Sequence, residues 1–364
     1  MNYDLRKIAE QFDIEGRFVS AAPYGTGHIN DTFRSKFSDG KERHFIHQRI
    51  NHKIFTQPEK LMENIARVTA RLREKIIAAG GDPMRECLTL IPTKDGKNFC
   101  VIDGNYWRTY VFIEGARTYD LVEKPQHVFN AAWAFGNFQK MVADLTKPRL
   151  HDTIPNFHNT LWRFEQFTTA LEKDIANRAA GSRAEIDFAL AHREMAGVIV
   201  NALKNGEIPE RVTHNDTKFN NVMIDDVTDK GICVIDLDTV MPGAAMYDFG
   251  DSVRIGASTA VEDERDLSKV SMSLELFDRL THGYLTAAKE FLTPREIDLL
   301  AFSAKLITFE IGLRFLADHL ASDVYFKVHR DGHNLDRCRT QFKMVQDMES
   351  KFDKMQNVVK KYSK

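Results

Sequence analysis

The stretch RVTHNDTKFNNVMID, residues 211–225, contains one His, two Asp and three Asn around a single Lys, and its last residues are apolar as at the start of a strand. Polar side chains at this density are costly to bury without hydrogen-bond partners. We therefore expect the stretch to carry a function that needs these groups, and the spacing of the groups indicates which function.

The ordered spacing is His214, Asp216 and Asn221, followed by Asp236 at the end of a second predicted strand, GICVIDLDT. Phosphoryl transfer needs a carboxylate that orients the attacking hydroxyl and accepts its proton, and it needs an amide and a second carboxylate to hold magnesium. This order predicts Asp216 as the catalytic base and Asn221 and Asp236 as metal ligands. Any one of these residues alone is better read as a turn former or a cap. Four at this spacing favour catalysis.

Two further acids follow the second strand. Asp238 either shares the strand face of Asp236, as a second metal ligand or substrate contact, or lies in the turn before Met241. The segment YDFGDS contains the DFG triplet known from protein kinases, but Asp248 follows Pro-Gly and a new helix start. We therefore assign the metal to Asp236 and expect Asp248 to order the catalytic loop or to cap the helix DSVRIG.

The composition limits the possible functions. A chain of 364 residues with 43% hydrophobic and 28% charged residues predicts a globular protein of two lobes. A net charge of −2 makes nucleic acid an unexpected partner. No run of 18 apolar residues occurs and the N-terminus is charged, which predicts a cytoplasmic protein without membrane contact. The four Cys are far apart, as reduced packing residues are.

The distribution of patterns predicts an α+β fold. Residues 1–111 alternate strand patterns and turns around one or two helices, and residues 119–364 are mostly helical with one embedded hairpin. Residues 112–118 form the predicted hinge, where Phe112 and Ile113 are expected to contact a nucleotide. The plan is a small β-rich lobe that binds nucleotide and a larger helical lobe that carries catalysis and substrate binding.

The β-rich lobe contains YGTGHIN between two predicted strands. Gly25, Thr26 and Gly27 could bring backbone amides close to nucleotide phosphates, although a plain hairpin turn would have the same composition. Asn30 stands where a kinase loop has its third Gly. His28, at the tip, is expected to contact a substrate hydroxyl.

Two other features depart from a simple kinase pattern. The third strand, HFIHQRI, has Gln48 where kinases carry the lysine for the phosphates. Late in the chain, FEIGLRFLADHL spaces Glu310, Arg314 and Asp318 at intervals of four, which predicts an ion-pair ladder on a solvated face, with about 0.3 kcal/mol per pair. The run FKMVQDMESKFDKMQNVV predicts a helix packed against the large lobe.

The segments THNDTKFNN, VIDLDTVMPG, YDFGDSVRIGAS and YGTGHIN resemble the aminoglycoside-phosphotransferase superfamily of kinase-like enzymes. Within it, they most resemble N-acetylhexosamine 1-kinases, which use ATP and Mg²⁺ to phosphorylate N-acetylglucosamine or N-acetylgalactosamine at the anomeric hydroxyl. The resemblance runs from about residue 10 to about residue 350. It implies a bilobal protein-kinase-like fold and the roles given above to Asp216, Asn221 and Asp236, and it adds His28, Arg314 and Tyr325 as sugar contacts.

Two alternatives remain open at the level of sequence. The catalytic loop is common to kinases of other small hydroxyl compounds, such as another sugar, choline, homoserine or an aminoglycoside. Gln48 and the missing third Gly are also compatible with a catalytically silent binding protein. The expected partners are a small sugar and ATP, and the expected state is a monomer or a weak oligomer.

Overall fold

The computed structural model describes residues 3–25, 27, 29–119 and 124–364. The chain forms two compact units. The first, here called the sheet unit, comprises Met1–Thr118, Asp144–Pro155 and Val222–Met241. The second, here called the helical unit, comprises Tyr119–Ala143, Asn156–Asn221 and Pro242–Lys364.

The strands are short and lie mainly in the first part of the chain. They are β1 (Arg17–Pro23), β2 (Asp31–Ser38), β3 (Glu42–Ile50), β4 (Leu90–Ile91), β5 (Cys100–Ile102), β6 (Asn105–Val111), β7 (Ala116–Arg117), β8 (Arg211–Thr213), β9 (Val222–Asp225), β10 (Gly231–Val234) and β11 (Met241–Gly243).

The helices make up most of the chain after residue 124. They are α1 (Leu5–Ala9), α2 (Pro58–Ala78), α3 (Pro83–Glu86), α4 (Pro125–Val142), α5 (Thr160–Lys173), α6 (Arg183–Ala191), α7 (Val198–Lys204), α8 (Ala245–Gly256), α9 (Leu274–Ala288), α10 (Pro294–Asp298), α11 (Leu300–Leu320), α12 (His333–Ser350) and α13 (Phe352–Ser363). None of the helices in the described ranges is long and apolar enough to cross a membrane.

The main sheet of the sheet unit is antiparallel in the order β1-β2-β3-β6-β4, and β5 pairs with β6. The register places Thr32 opposite Gln48, and Gln48 opposite Arg108. Because directly paired residues point to the same face of a sheet, three neighbouring strands present one polar side chain each in a single row. The predicted α+β fold, with an antiparallel sheet first and helices after it, is confirmed.

A second sheet of the same unit has the order β10-β9-β7. The predicted strand GICVIDLDT is shorter than expected, because β10 ends at Val234. Asp236 then adopts a left-handed conformation, with φ of 58°, and Leu237–Thr239 form one turn of 3-10 helix. Asp238 therefore lies in a turn, and the interpretation that it continues a strand face is wrong.

The core of the helical unit is built on α8 and α11, which approach each other closely. A Cβ atom at Gly250, the Gly of the DFG triplet, would lie 2.6 Å from the carbonyl oxygen of Ser303. That position has no room for a side chain, because real Cβ atoms do not come so close to backbone atoms. The glycine in YDFGDS is therefore required for packing between two helices.

Two helical stretches of the chain are interrupted. The first is divided by a 3-10 segment, Arg193–Gly197, into α6 and α7. The terminal pattern is divided at Lys351, whose φ and ψ of −110° and 6° are not helical. Met348 before this break and Met355 after it are both buried in one apolar core, so the break lets both helices pack against the same surface.

Candidate active site

The loop of residues 214–221 follows β8, and acids of α8 hold its backbone. Asp248 accepts hydrogen bonds from the backbone N–H of His214 at 2.8 Å and of Asn215 at 2.7 Å. Asp251 accepts one from the backbone N–H of Thr217 at 3.0 Å. The Thr217 hydroxyl in turn donates to the carbonyl oxygen of Asp248 at 2.7 Å. Helix α8 thus fixes the loop on both sides of residue 216.

The two acids of α8 are buried and have different electrostatic surroundings. Burial raises the pKa of Asp248, although the two backbone donors and Gln139 Nε2, at 2.6 Å, oppose this effect. Burial would also raise the pKa of Asp251, but the guanidinium of Arg254, 2.9 Å away, outweighs it and holds the pKa below its usual value. Both side chains are buried with hydrogen-bond partners, as polar groups in a protein interior require.

The side chain of Asp216 lies half-buried between an amine and an amide. Its Oδ1 is 2.9 Å from Lys218 Nζ. Asn221 Nδ2 donates to the Asp216 carbonyl oxygen at 2.8 Å and to its Oδ2 at 3.2 Å. Burial lowers the pKa of Lys218, but the carboxylate of Asp216 outweighs this effect, so the pKa lies above its ordinary value. The arrangement presents a fixed carboxylate beside a cation, which suits a base in phosphoryl transfer.

A buried histidine holds the loop from its other side. His158 Nε2 is 3.2 Å from the carbonyl oxygen of Asn215, and its Nδ1 is 2.8 Å from Glu310 Oε1. Asn215 has φ of 65°, so the residue before Asp216 is in the left-handed region. Thr160 donates to the other oxygen of Glu310 at 2.5 Å. The carbonyl of Asn215 is therefore anchored to α11 through His158.

The chemistry of the predicted metal ligands fits a hard cation. Asp236 is exposed, two residues beyond the end of β10, and Asn221 directly precedes β9. The described residues contain no group of three or more His, Cys, Asp or Glu side chains that could hold a metal. The exposed carboxylate of Asp236 suits magnesium, which proteins hold by one or two carboxylates together with phosphate groups.

Asp238 is engaged by side chains of the sheet unit. Its Oδ1 forms a buried ion pair with Arg108 Nη1, and its Oδ2 accepts a hydrogen bond from Asn30 Nδ2 at 2.6 Å. Gln48 Oε1 accepts from Arg108 Nε at 3.0 Å and from Nη2 at 2.8 Å. Both oxygens of Asp238 are thus occupied, which argues against the interpretation of Asp238 as a metal ligand.

The predicted nucleotide-binding residues belong to the sheet unit. Gly25 has φ of 78°, a conformation that favours glycine, and a Cβ atom there would have open space around it, as it would at Gly27. Thr26 and His28 lie outside the described residues. Phe112 donates its backbone N–H to the carbonyl of His44 at 3.1 Å, and Ile113 is buried.

The helical unit has a cavity of about 280 Å³ beside α11. Two of the three sugar contacts that the resemblance implied, Arg314 and Tyr325, line it, and the Arg314 guanidinium lies 5.8 Å from the ring centre of Tyr325. The predicted ion-pair ladder is wrong. Glu310 is buried against His158, and Asp318 accepts the backbone N–H groups of Tyr325 and Phe326 at 2.8 and 2.9 Å.

Several residues that hold the site were not predictable from the sequence. Arg108, Gln139, His158 and Asp251 have no local signal of the kind that the catalytic loop shows, since each meets its partners from a distant segment. Only Arg108 is marked in its own segment, as the one charged residue in the aromatic-rich strand YWRTYV.

The sequence profile of the phosphotransferase enzyme family, APH, matches residues 20–284. The match spans more than half of the chain, and the chain belongs to this family. The predicted aminoglycoside-phosphotransferase superfamily is therefore confirmed, and the chain is a phosphotransferase.

Solved structures with the same fold agree with this family. The microcompartment-associated aminopropanol kinase has a TM-score of 0.61 and 13% identity, with 96% of this chain and 97% of that chain covered. The ethanolamine kinase of Plasmodium vivax has a TM-score of 0.54 and 15% identity, with 88% and 82% covered. Amicoumacin kinase in complex with AMP-PNP and Ca²⁺ has a TM-score of 0.57 and 12% identity, with 94% and 93% covered. At these identities the likeness establishes the fold.

Proposed function

We propose that this phosphotransferase is an ATP-dependent kinase that phosphorylates the anomeric hydroxyl of an N-acetylhexosamine. The observation that carries the proposal is the geometry of Asp216, a half-exposed carboxylate between Lys218 and Asn221 on a loop fixed by acids of α8. A fixed carboxylate of this kind can orient a hydroxyl and accept its proton without reorganisation.

The proposed reaction assigns a role to each residue. Asp216 accepts the proton of the anomeric hydroxyl while the hydroxyl oxygen bonds to the γ-phosphorus of ATP. The bond between the γ-phosphorus and the β-γ bridging oxygen breaks, which gives the sugar 1-phosphate and ADP. Lys218 lies beside Asp216 as a positive charge next to the reacting groups. Asn221 and Asp236 are the proposed ligands of Mg²⁺, which when bound neutralises phosphate charge.

The charge of the cavity beside α11 supports a neutral or anionic acceptor. Arg163, Lys173 and Arg314 line it, and burial together with the charge of Arg314 lowers the pKa of Arg163 to about 10. Among the described residues of the lining, the one carboxylate is that of Asp318, and backbone N–H groups and Asn334 already occupy it. An ammonium substrate, such as an amino alcohol, would enter this cavity without a free counter-charge. An N-acetylated sugar carries no such charge.

The size of the cavity supports a small acceptor. A volume of about 280 Å³ is near the lower end for ligand sites, which suits a monosaccharide derivative better than a large aminoglycoside. Tyr325 is 62% exposed at its rim, where an aromatic ring can cover the apolar face of a sugar.

The experiment is phosphorus NMR of the protein with Mg·ATP and one acceptor at a time. The panel pairs N-acetylglucosamine and N-acetylgalactosamine with glucosamine, choline and aminopropanol. We expect a sugar 1-phosphate signal split by the anomeric proton with the acetylated sugars, and little product with the three cationic acceptors. Phosphorylation of the cationic acceptors alone would contradict the proposed acceptor, and no phosphate ester from any acceptor, with nucleotide still bound, would favour a silent binding protein.

A further inference from the structure

The sheet unit lacks a lysine on β3 at the position that serves the phosphates in kinases, yet a buried cation stands directly beside that position. Arg108 of β6 is paired in register with Gln48 and is 1% exposed. A lysine at position 48 would place an ammonium opposite this guanidinium, and like charges directly opposite in a sheet are destabilising. Gln48 instead offers an acceptor to two nitrogen atoms of Arg108.

Arg108 is connected through Asp238 to both segments on which nucleotide binding is expected to depend. Asp238 is two residues after Asp236, the predicted metal ligand, in the turn that follows β10. Its second oxygen accepts from Asn30, which ends the segment that contains Gly25 and Gly27. Asn30 is held in place because its Oδ1 accepts the backbone N–H of Asn51 at 3.0 Å. These two hydrogen bonds explain why Asn stands at position 30, where a kinase loop has glycine.

A buried hydroxyl beside Arg108 has no hydrogen-bond partner within the described ranges. Tyr110 is two residues further along β6, on the same face, and its ring lies 5.4 Å from the Arg108 guanidinium. The side chain is 3% exposed and its hydroxyl is unsatisfied. Such a group needs a water or a ligand atom as its partner. The face of the sheet that carries Thr32, Gln48 and Arg108 therefore also carries a hydroxyl that can bind one.

We propose that Arg108 is the structural cation of the nucleotide-binding unit, in place of the lysine of β3. It is a positioning residue, because its own nitrogen atoms are taken by Gln48 and Asp238. By fixing Asp238 it orients the segment of Asp236 and, through Asn30, the glycine segment. This inference rests on the proposed kinase function.

The test measures binding of AMP-PNP with Mn²⁺ by calorimetry and by the EPR signal of the metal, without turnover. Arg108→Met is expected to weaken binding roughly 10- to 100-fold, and Arg108→Lys to restore part of it. Asn30→Gly leaves the ion pair intact, and is expected to weaken binding while lowering the thermal midpoint less than Arg108→Met does. The matched control is Arg43→Met, because Arg43 pairs with Glu15 at 3.1 Å near the other end of β3 and is expected to leave binding unchanged.

Arg108→Met leaves Asp238 as an uncompensated buried charge and can unfold the protein. The double variant Arg108→Met/Asp238→Asn removes both charges and separates stability from positioning. We expect it to fold and still to bind weakly. If it binds as the wild type does, Arg108 only neutralises Asp238, and the inference is overturned. If the wild type itself binds no AMP-PNP, both the kinase proposal and this inference fail. If the wild type binds and all the variants bind equally, only the inference fails.

Discussion

The imidazole of His158 lies between two acceptors, the carboxylate of Glu310 at 2.8 Å and the carbonyl oxygen of Asn215 at 3.2 Å. The buried pair of His158 and Glu310 therefore holds the residue that precedes Asp216.

Replacing His158 is expected to impair turnover more than nucleotide binding. His158→Gln removes the contact that fixes the Asn215 carbonyl, so Asp216 loses its position and kcat falls about tenfold or more, with little change in the KM for ATP. Thr160→Val is the matched control, because it removes the other partner of Glu310 without touching the loop. Steady-state kinetics checks both variants. Equal losses of kcat in the two variants would mean that kcat depends on the hydrogen bonds of Glu310 and not on the contact between His158 and Asn215.

Asp216→Asn preserves the shape of the side chain but removes the proton acceptor. We expect kcat to fall at least about 100-fold, with AMP-PNP binding retained, because general base catalysis contributes on that order. Asp226→Asn is the control, since Asp226 pairs with Arg117 outside the loop. Initial rates of sugar phosphate formation measure the effect. Turnover within a few-fold of the wild type would remove Asp216 from the role of base.

Arg314 is expected to act on the acceptor and not on the nucleotide. Arg314→Met should raise the acceptor KM about tenfold and leave the KM for ATP unchanged, because it removes a polar contact from the cavity. Arg193→Met serves for comparison, since Arg193 also stacks on an aromatic ring, Phe164, but is absent from the cavity lining. A rise in the ATP KM instead would place Arg314 at the phosphates.

Gly250→Ala is expected to reduce stability by about 1–3 kcal/mol, because the added methyl group must push α8 away from α11. The turnover of the folded variant should be close to that of the wild type. Gly181→Ala, where a Cβ atom would meet open space, is the reference. Thermal unfolding compares the two. A variant with unchanged midpoint but lost activity would give the DFG triplet a catalytic role.

Acid is expected to destabilise the protein through His47. Burial lowers the pKa of His47 from its ordinary value of 6.5 to about 4, where the ring lies between the hydroxyls of Ser35 and Thr109. The unfolded chain binds this proton more readily than the folded one, so stability is lost as pH falls from about 6.5 towards 4, by about 3 kcal/mol in all. Urea unfolding of His47→Gln should show a smaller loss over this range. An unchanged slope would assign the effect to other groups.

The local patterns of the sequence predicted much of the fold and part of the site. The alternation around β2 and β3 and the helical spacing in α2 depend on neighbours in the chain, so they can be read locally. The family was also predictable, because its residues are concentrated in short segments such as THNDTKFNN.

The rest depends on contacts between distant segments. Glu310 and Arg314 have the spacing of a surface pair, but the side chain of Glu310 is buried and contacts His158. No sequence pattern links these two residues, because they lie 152 positions apart in the chain. The turn that carries Asp238 is likewise set by Arg108, 130 residues away in the chain. Burial decides between a solvated ladder and an interior network, and the spacing alone does not show burial.

The glutamine on β3 also has a consequence for chemical labelling. An amine-reactive nucleotide analogue would find no amine to acylate on this strand, because HFIHQRI contains no lysine. We expect such an analogue to label Lys218, the amine beside Asp216, in place of a residue of the sheet. A tagged peptide from the loop, in place of one from the sheet, would be its signature in a digest.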